Sequence, residues 1–153
     1  MDRRQLLERL ESGWEAFKAS YAGLSDSELL KPGVTGAWSV RDIIAHVTAW
    51  EEEALKYLPL ILEGGKPPRY SATYGGIDAF NARMTEQKSG LSLADVLAQQ
   101  DETHRRLVAL VQSVTADQFT RETPFRRRLR LDTYGHYPQH AEAIRRSREG
   151  SQA

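Results

Sequence analysis

Apolar side chains recur at three- and four-residue steps in four stretches of the chain, a spacing that is typical of amphipathic helices. Serines stand immediately before the second and third stretches, at Ser39 and Ser92, and predict the N-caps of two helices. No stretch alternates apolar and polar residues convincingly enough to predict a strand. The pattern therefore predicts an all-α four-helix bundle. The predicted helices cover residues 6–24, 40–61, 93–114 and 132–148.

Proline and glycine separate the predicted helices. Lys31-Pro32-Gly33 divides the first helix from the second, and Gly64-Gly65 ends the second. Between the second and third helices, residues 66–76 (KPPRYSATYGG) predict a long loop, and residues 77–86 predict a short helix. Two further segments are predicted as a turn or short cap, residues 25–30, and as a connector, residues 122–130 (ETPFRRRLR).

Length and composition are those of one ordinary globular domain. The chain has 153 residues, of which 40% are hydrophobic and 27% are charged, so it can bury a core of its own. No internal repeat or composition shift marks a second domain. We therefore predict a single bundle domain over residues 1–148 and a frayed tail over residues 149–153.

Charge and apolar runs limit the expected partners and location. The 21 basic and 21 acidic side chains balance, so we predict no nucleic-acid partner. No run approaches the roughly 20 apolar residues of a membrane span, so no membrane partner is expected, and MDRRQLLERLESGW lacks the apolar run of a signal peptide. The absence of cysteine excludes disulfides and thiolate ligands and suits a reducing compartment, so we predict a cytoplasmic location.

Three of the four histidines are candidates for a metal site. His136 and His140 are four residues apart, and on a helix this spacing brings both rings to one side, where they can reach a single ion. The same spacing would also fit an exposed helix that carries two polar rings. His46 lies at the edge of the apolar stripe of the second helix, where a hydrogen-bonded interior histidine is the alternative. It can join the pair only if the second and fourth helices are neighbours.

Two segments resemble a known family. GAWSVRDIIAHVTAWEEEAL is similar to the second-helix signature of DinB-like bundles, and TYGHYPQHAEAIR is similar to their final-helix HxxxH motif. The order and spacing of the two segments match that superfamily over nearly the whole chain. The resemblance implies that His46, His136 and His140 bind a divalent metal, most commonly nickel or zinc. Three nitrogen donors leave coordination positions for water or substrate. Pro138, between the two final-helix histidines, departs from the pattern because it crowds a helix interior.

Several other residues are candidates for roles around this site. Glu53, two turns after His46, is a candidate general base, although a run of three glutamates is usually solvated surface. His104 lies on the apolar face of the third helix and fits a core residue or a partner of the metal ligands better than a fourth ligand. The arginines of the connector are either a solvated patch or a means of capturing an anionic substrate. The residues expected to line or cover the cleft are Trp50, Tyr70, Tyr74, Arg128 and Tyr134.

The resemblance implies a function as well as a fold. DinB-like proteins include transferases and isomerases that use low-molecular-weight thiols, and hydrolase-like members. The implied activity is therefore attack on a small electrophile by water or by an external thiol cosubstrate, in stress response or detoxification. The alternative is a non-catalytic small-molecule-binding or self-protection protein on the same bundle. A structural or interaction module is a third possibility, and a homodimer is implied because superfamily members often pair.

Overall fold

The computed structural model describes residues 1–152, and its architecture is built from helices. The all-α prediction is confirmed. A single 3-10 turn at Ala116–Gln118 lies between the sixth and seventh α-helices of this part of the chain. In chain order the α-helices are α1 Arg3–Tyr21, α2 Asp26–Leu30, α3 Val40–Leu62, α4 Tyr70–Thr73, α5 Ile77–Lys88, α6 Leu93–Ser113, α7 Pro124–Asp132 and α8 Tyr137–Gln152.

Side-chain caps fix where the long helices begin. Ser39 and Ser92 accept hydrogen bonds from the backbone N–H groups three residues on, which confirms both predicted N-caps. Asp2 and Ser25 cap α1 and α2 in the same way. At Asp2, Ser25 and Ser39 the residue three positions on also bonds back to the cap, so two unpaired N–H groups are satisfied at each of these ends.

The four long helices form the bundle around one hydrophobic core. α1 packs against α8 and α6, and α3 packs against α6 and α8. The helix α3, which carries His46, and the helix α8, which begins directly after His136 and carries His140, are therefore neighbours, as a shared metal site requires. α3 also contacts α2, α5 and α7 and is buried along most of its length. Its apolar stripe meets those of the other helices in the core, whose largest fully buried side chains include Tyr137, Phe17, Phe80, Phe119, Phe125, Leu6, Leu10, Ile43 and Ile44.

The predicted connector at residues 122–130 is instead the helix α7. Thr123 caps this helix, and Pro124 occupies its first turn, where a missing N–H costs nothing. Phe125 and Leu129, four residues apart, are fully buried and anchor it to the bundle. A narrow buried stripe among four arginines has little helical signal in the sequence, and the prediction was wrong for this reason.

Four other segments differ from the prediction. The long loop at residues 66–76 contains the short helix α4, and the predicted turn or cap at 25–30 is the short helix α2. The final helix begins at Tyr137 instead of near Asp132, because α7 ends there and a turn intervenes. It then continues to Gln152, so the predicted frayed tail is helical as far as that residue, and Ala153 lies outside the described residues.

Candidate metal centre

Three imidazole rings converge between α3 and the start of α8. The Nε2 atom of His136 lies 3.2 Å from that of His46 and 2.9 Å from that of His140. One ring nitrogen of each histidine lies within 4.8 Å of the corresponding nitrogens of the other two. Two nitrogens bound to the same Zn²⁺ at about 2.0–2.1 Å are roughly 3.0–3.4 Å apart at ordinary coordination angles. The spacing of these donors therefore fits a single divalent ion.

The environment holds these rings in the neutral form that binds metals. Burial lowers the pKa of His46 and His136 to about 3 and that of His140 to about 4. Charge on a neighbouring ring lowers the pKa of His46 and His136 further. Three neutral rings whose Nε2 atoms point at one another cannot all be satisfied by sharing protons, whereas one cation can accept all three lone pairs.

A tight turn between α7 and α8 places His136. The backbone N–H groups of His136 and Tyr137 both donate to the carbonyl of Thr133, at 2.7 and 2.9 Å. His136 therefore precedes α8, whereas His140 lies in its first turn. Pro138 is the second residue of α8, where the helix needs no N–H donor, so it does not interrupt a helix between the two ligands. The expected conflict between Pro138 and the histidine pair is thereby resolved.

Gly135 is the residue on which this turn depends. Its N–H donates to the carbonyl oxygen of Arg130 at 2.8 Å, and a Cβ at this position would lie only 2.6 Å from the same oxygen. We expect Gly135→Ala to displace the adjacent His136 and weaken metal binding on the order of tenfold, because ligand geometry tolerates little error. Gly90→Ala is the matched control, since a Cβ there meets nothing within 4 Å. Equal metal affinity of the two variants, measured by chelator competition, would contradict this role of the turn.

Aromatic side chains surround one side of the triad. The Trp50 ring lies 6.3 Å from His136 and 5.4 Å from Tyr70, and Tyr70 stacks on Tyr74 at 5.8 Å. Three of the predicted lining residues thus lie together: Trp50 on α3, Tyr70 at the start of α4 and Tyr74 directly after it. The sequence reasoning missed Trp38, whose ring lies 4.8 Å from that of His46. This tryptophan was visible in the second-helix motif but was given no role.

Arg128 is committed to other protein groups. Its Nε donates to Asp132 Oδ2 and its Nη2 to the hydroxyl of Tyr70, both at 2.6 Å. Its guanidinium also lies over the rings of Tyr57 and Tyr70. Burial raises the pKa of Asp132 to about 6 although Arg128 opposes this shift. Arg128 therefore fastens α4 to α7 and is not free to capture an anion in this conformation.

His104 lies in a separate buried network behind the triad. Its ring stacks on Trp14 with centroids 3.9 Å apart, and its two nitrogens lie 3.2 Å from Glu51 and 2.8 Å from Glu11. The hydroxyl of Tyr137 donates to the same oxygen of Glu51. His104 is thus connected to Tyr137, the residue after His136, through Glu51 and through the ring of Trp14, and the sequence analysis gave Glu51 only as part of a surface run of glutamates.

Glu53 and Tyr134 are not joined to the triad by any hydrogen bond within residues 1–150. Burial raises the pKa of Glu53, and its nearest charged neighbours include Lys56 and Arg128. Tyr134 packs beside Gly13 of α1, and its hydroxyl interacts with Arg130. Catalysis by Glu53 and substrate contact by Tyr134 remain predictions.

The fold and the centre define a helical bundle with a three-histidine site, and comparison with known proteins supplies the family. The family model of the DinB superfamily matches residues 9–143, and the chain belongs to this superfamily. No curated protein matches the sequence significantly.

Solved structures share the fold at low sequence identity. An uncharacterised protein from Escherichia coli UTI89 is 16% identical with a TM-score of 0.78, over 99% of this chain and 95% of its own. The colibactin self-resistance protein ClbS, in complex with double-stranded DNA, is 15% identical with a TM-score of 0.79, over 95% and 94%. DfsB, a sibling lethal factor precursor, is 12% identical with a TM-score of 0.83, over 99% and 98%.

The expectations about partners require one correction. The prediction of no nucleic-acid partner was wrong in its reasoning, because ClbS has the same fold and was crystallised with double-stranded DNA. A balanced total charge does not exclude a local basic surface. No helix among residues 1–152 is both long enough and apolar enough to span a bilayer. The homodimer and the cytoplasmic location remain predictions.

Proposed function

We propose that this protein is a divalent-metal-dependent enzyme that acts on a small electrophile. The observation that supports this proposal is the convergence of His46, His136 and His140, held neutral by burial, at spacings that fit one ion. Nickel or zinc would be held by the three rings, and the bound metal would activate water or a low-molecular-weight thiol as the nucleophile.

The surrounding residues would organise the substrate. Trp50 and Tyr70 would exclude water from one side of the centre, and Arg128 would keep Tyr70 in place through their hydrogen bond. Trp38, whose ring packs against that of His46, would enclose the site at that ring. The exposed Gln139 would lie at the edge of the site, since its Nε2 lies 3.2 Å from His140 Nε2.

A non-catalytic self-protection protein is the second candidate. Its support is the similarity of the fold to ClbS, which is a self-resistance protein. Such a protein would hold a toxic small molecule in the same cleft without needing a metal. Metal content distinguishes the two functions directly, because only the enzyme requires an occupied centre.

The test is elemental analysis of the untreated purified protein. We expect about one nickel or zinc ion per chain, falling below roughly a tenth of that in His140→Ala, because two donors rarely retain an ion. Activity toward a panel of electrophiles, assayed with and without an added thiol, should disappear in the same variant and in the metal-free protein.

His104→Gln is the matched control, since it removes a buried histidine that does not contact the triad. It should keep its metal, and circular dichroism should show both variants folded. A native protein that folds fully without metal, and whose triad variants bind small molecules as the wild type does, would favour the self-protection function.

A further inference from the structure

A cavity separate from the metal centre lies between α3 and α5, beside the end of α4. Its volume is about 540 Å³, within the usual range for sites that bind small molecules. Its walls include Glu53 and Lys56 from α3, Tyr74 after α4, and Arg83 from α5. None of the three histidines lines it, so this cavity is distinct from the metal centre.

Glu53 is the unusual residue of this cavity. Its side chain is only 6% exposed, yet no hydrogen bond or ion pair joins it to another residue whose side chain the structure describes. The Glu53 carboxylate oxygens are not fully sealed from solvent, and they face the cavity. Glu51 is more deeply buried, and His104 and Tyr137 bond its Oε1, whereas its Oε2 is sealed in the core without a partner. Because no protein donor in the described part of the chain meets the oxygens of Glu53, this carboxylate is open to a donor from outside the protein.

Two cations in the same walls form no close ion pair among the described side chains, although the charge of Lys56 acts on Glu53 three residues before it. Lys56 Nζ lies over the ring of Tyr57 at 5.1 Å, and the Arg83 guanidinium lies over the ring of Tyr74 at 5.8 Å. The other acid of the cavity, Glu52, is already bound to Lys88 at 2.7 Å. The cavity therefore presents to a ligand one carboxylate and two cations that are not held in a close ion pair.

We propose that this cavity binds the zwitterionic group of a free α-amino acid. The ligand's ammonium would donate to the Glu53 carboxylate, and its carboxylate would be held by Lys56 and Arg83. A simple anion would leave Glu53 unpaired, and a simple amine would leave both cations unpaired, so neither completes the site. This proposal goes beyond the metal-dependent function and does not depend on it.

The test is calorimetric titration of the full chain with each common amino acid at up to about 10 mM. At least one is expected to bind, and its N-acetyl and methyl ester derivatives should bind at least roughly tenfold more weakly, because each lacks one of the two charges. Failure of every amino acid to bind would overturn the proposal. Equal binding of a charged ligand and its N-acetyl derivative would overturn it as well.

Matched variants assign the binding to these residues. Glu53→Gln should weaken binding at least about tenfold, and it should fold because a neutral amide is cheaper to bury than a carboxylate. Arg83→Gln, at an exposed position, should weaken binding without affecting the fold. Glu86→Gln removes an exposed charge from α5 outside the cavity and should bind as the wild type does. Unchanged binding in Glu53→Gln would refute the site, and metal content, measured on the same samples, reports separately on the histidine centre.

Discussion

The metal-free protein is expected to lose about 6 kcal/mol of its free energy of unfolding between pH 7 and pH 5 through the three triad histidines. In the folded protein, burial lowers the pKa of His46 and His136 to about 3 and that of His140 to about 4. In the unfolded chain each ring titrates near its ordinary pKa of about 6.5. Below that pH the unfolded state binds more protons than the folded state, so stability falls as the pH falls.

The size of the effect follows from the same pKa values. At pH 5 the unfolded rings are almost fully protonated while the folded rings remain neutral, which costs about 2 kcal/mol for each ring relative to pH 7. Asp132 acts in the opposite direction, because its pKa is raised to about 6 and the folded state therefore takes up a proton first. This opposing contribution is about 1 kcal/mol over the same interval, so the triad dominates.

Urea unfolding of chelator-treated protein at the two pH values measures this difference. The control is the variant in which His46, His136 and His140 are all replaced by glutamine, which keeps neutral polar side chains but removes the titrating groups. Between pH 7 and pH 5 this variant should lose much less of its free energy of unfolding than the wild type does. If both proteins lose the same amount, the triad rings are not held neutral by the fold.

The sequence predicts most of the bundle because the long helices carry strong local signals. Ser39 is followed three residues later by Asp42, and this pair forms the observed capping box at the start of α3. The apolar stripes of the long helices are broad enough to be recognised without knowing what they pack against. The three histidines could be assigned to one site only through the family resemblance, since their proximity depends on α3 lying beside α8.

The parts that the sequence did not predict depend on tertiary contacts. α7 buries only a narrow stripe, and its arginines hide the helical period, so residues 122–130 look like a connector. Glu51 stands in a run of three glutamates and yet is 1% exposed, because His104 and Tyr137 reach it from α6 and α8. No local pattern distinguishes it from its neighbour Glu52, which remains exposed.

Asp132→Ala is expected to lower the free energy of unfolding by about 3–5 kcal/mol, because it leaves the buried guanidinium of Arg128 without its anion. The Asp132 side chain is fully buried and the Arg128 side chain is 11% exposed. The remaining hydrogen bond to Tyr70 and the ring contacts with Tyr57 and Tyr70 do not supply a countercharge. Chemical denaturation at pH 7.5, above the raised pKa of Asp132, measures the loss.

A surface pair of the same geometry isolates the effect of burial. Arg105 and Glu102 also approach to 2.6 Å, but their side chains are 69% and 56% exposed. Glu102→Ala should therefore cost no more than about 1 kcal/mol. The double variant Asp132→Ala/Arg128→Met should be more stable than Asp132→Ala alone. In the Asp132→Ala background Arg128 is an unpaired buried charge, and its replacement by methionine removes that charge. Similar losses in Asp132→Ala and Glu102→Ala would mean that water reaches Arg128, and that α4 and α7 are not held together by a buried ion pair.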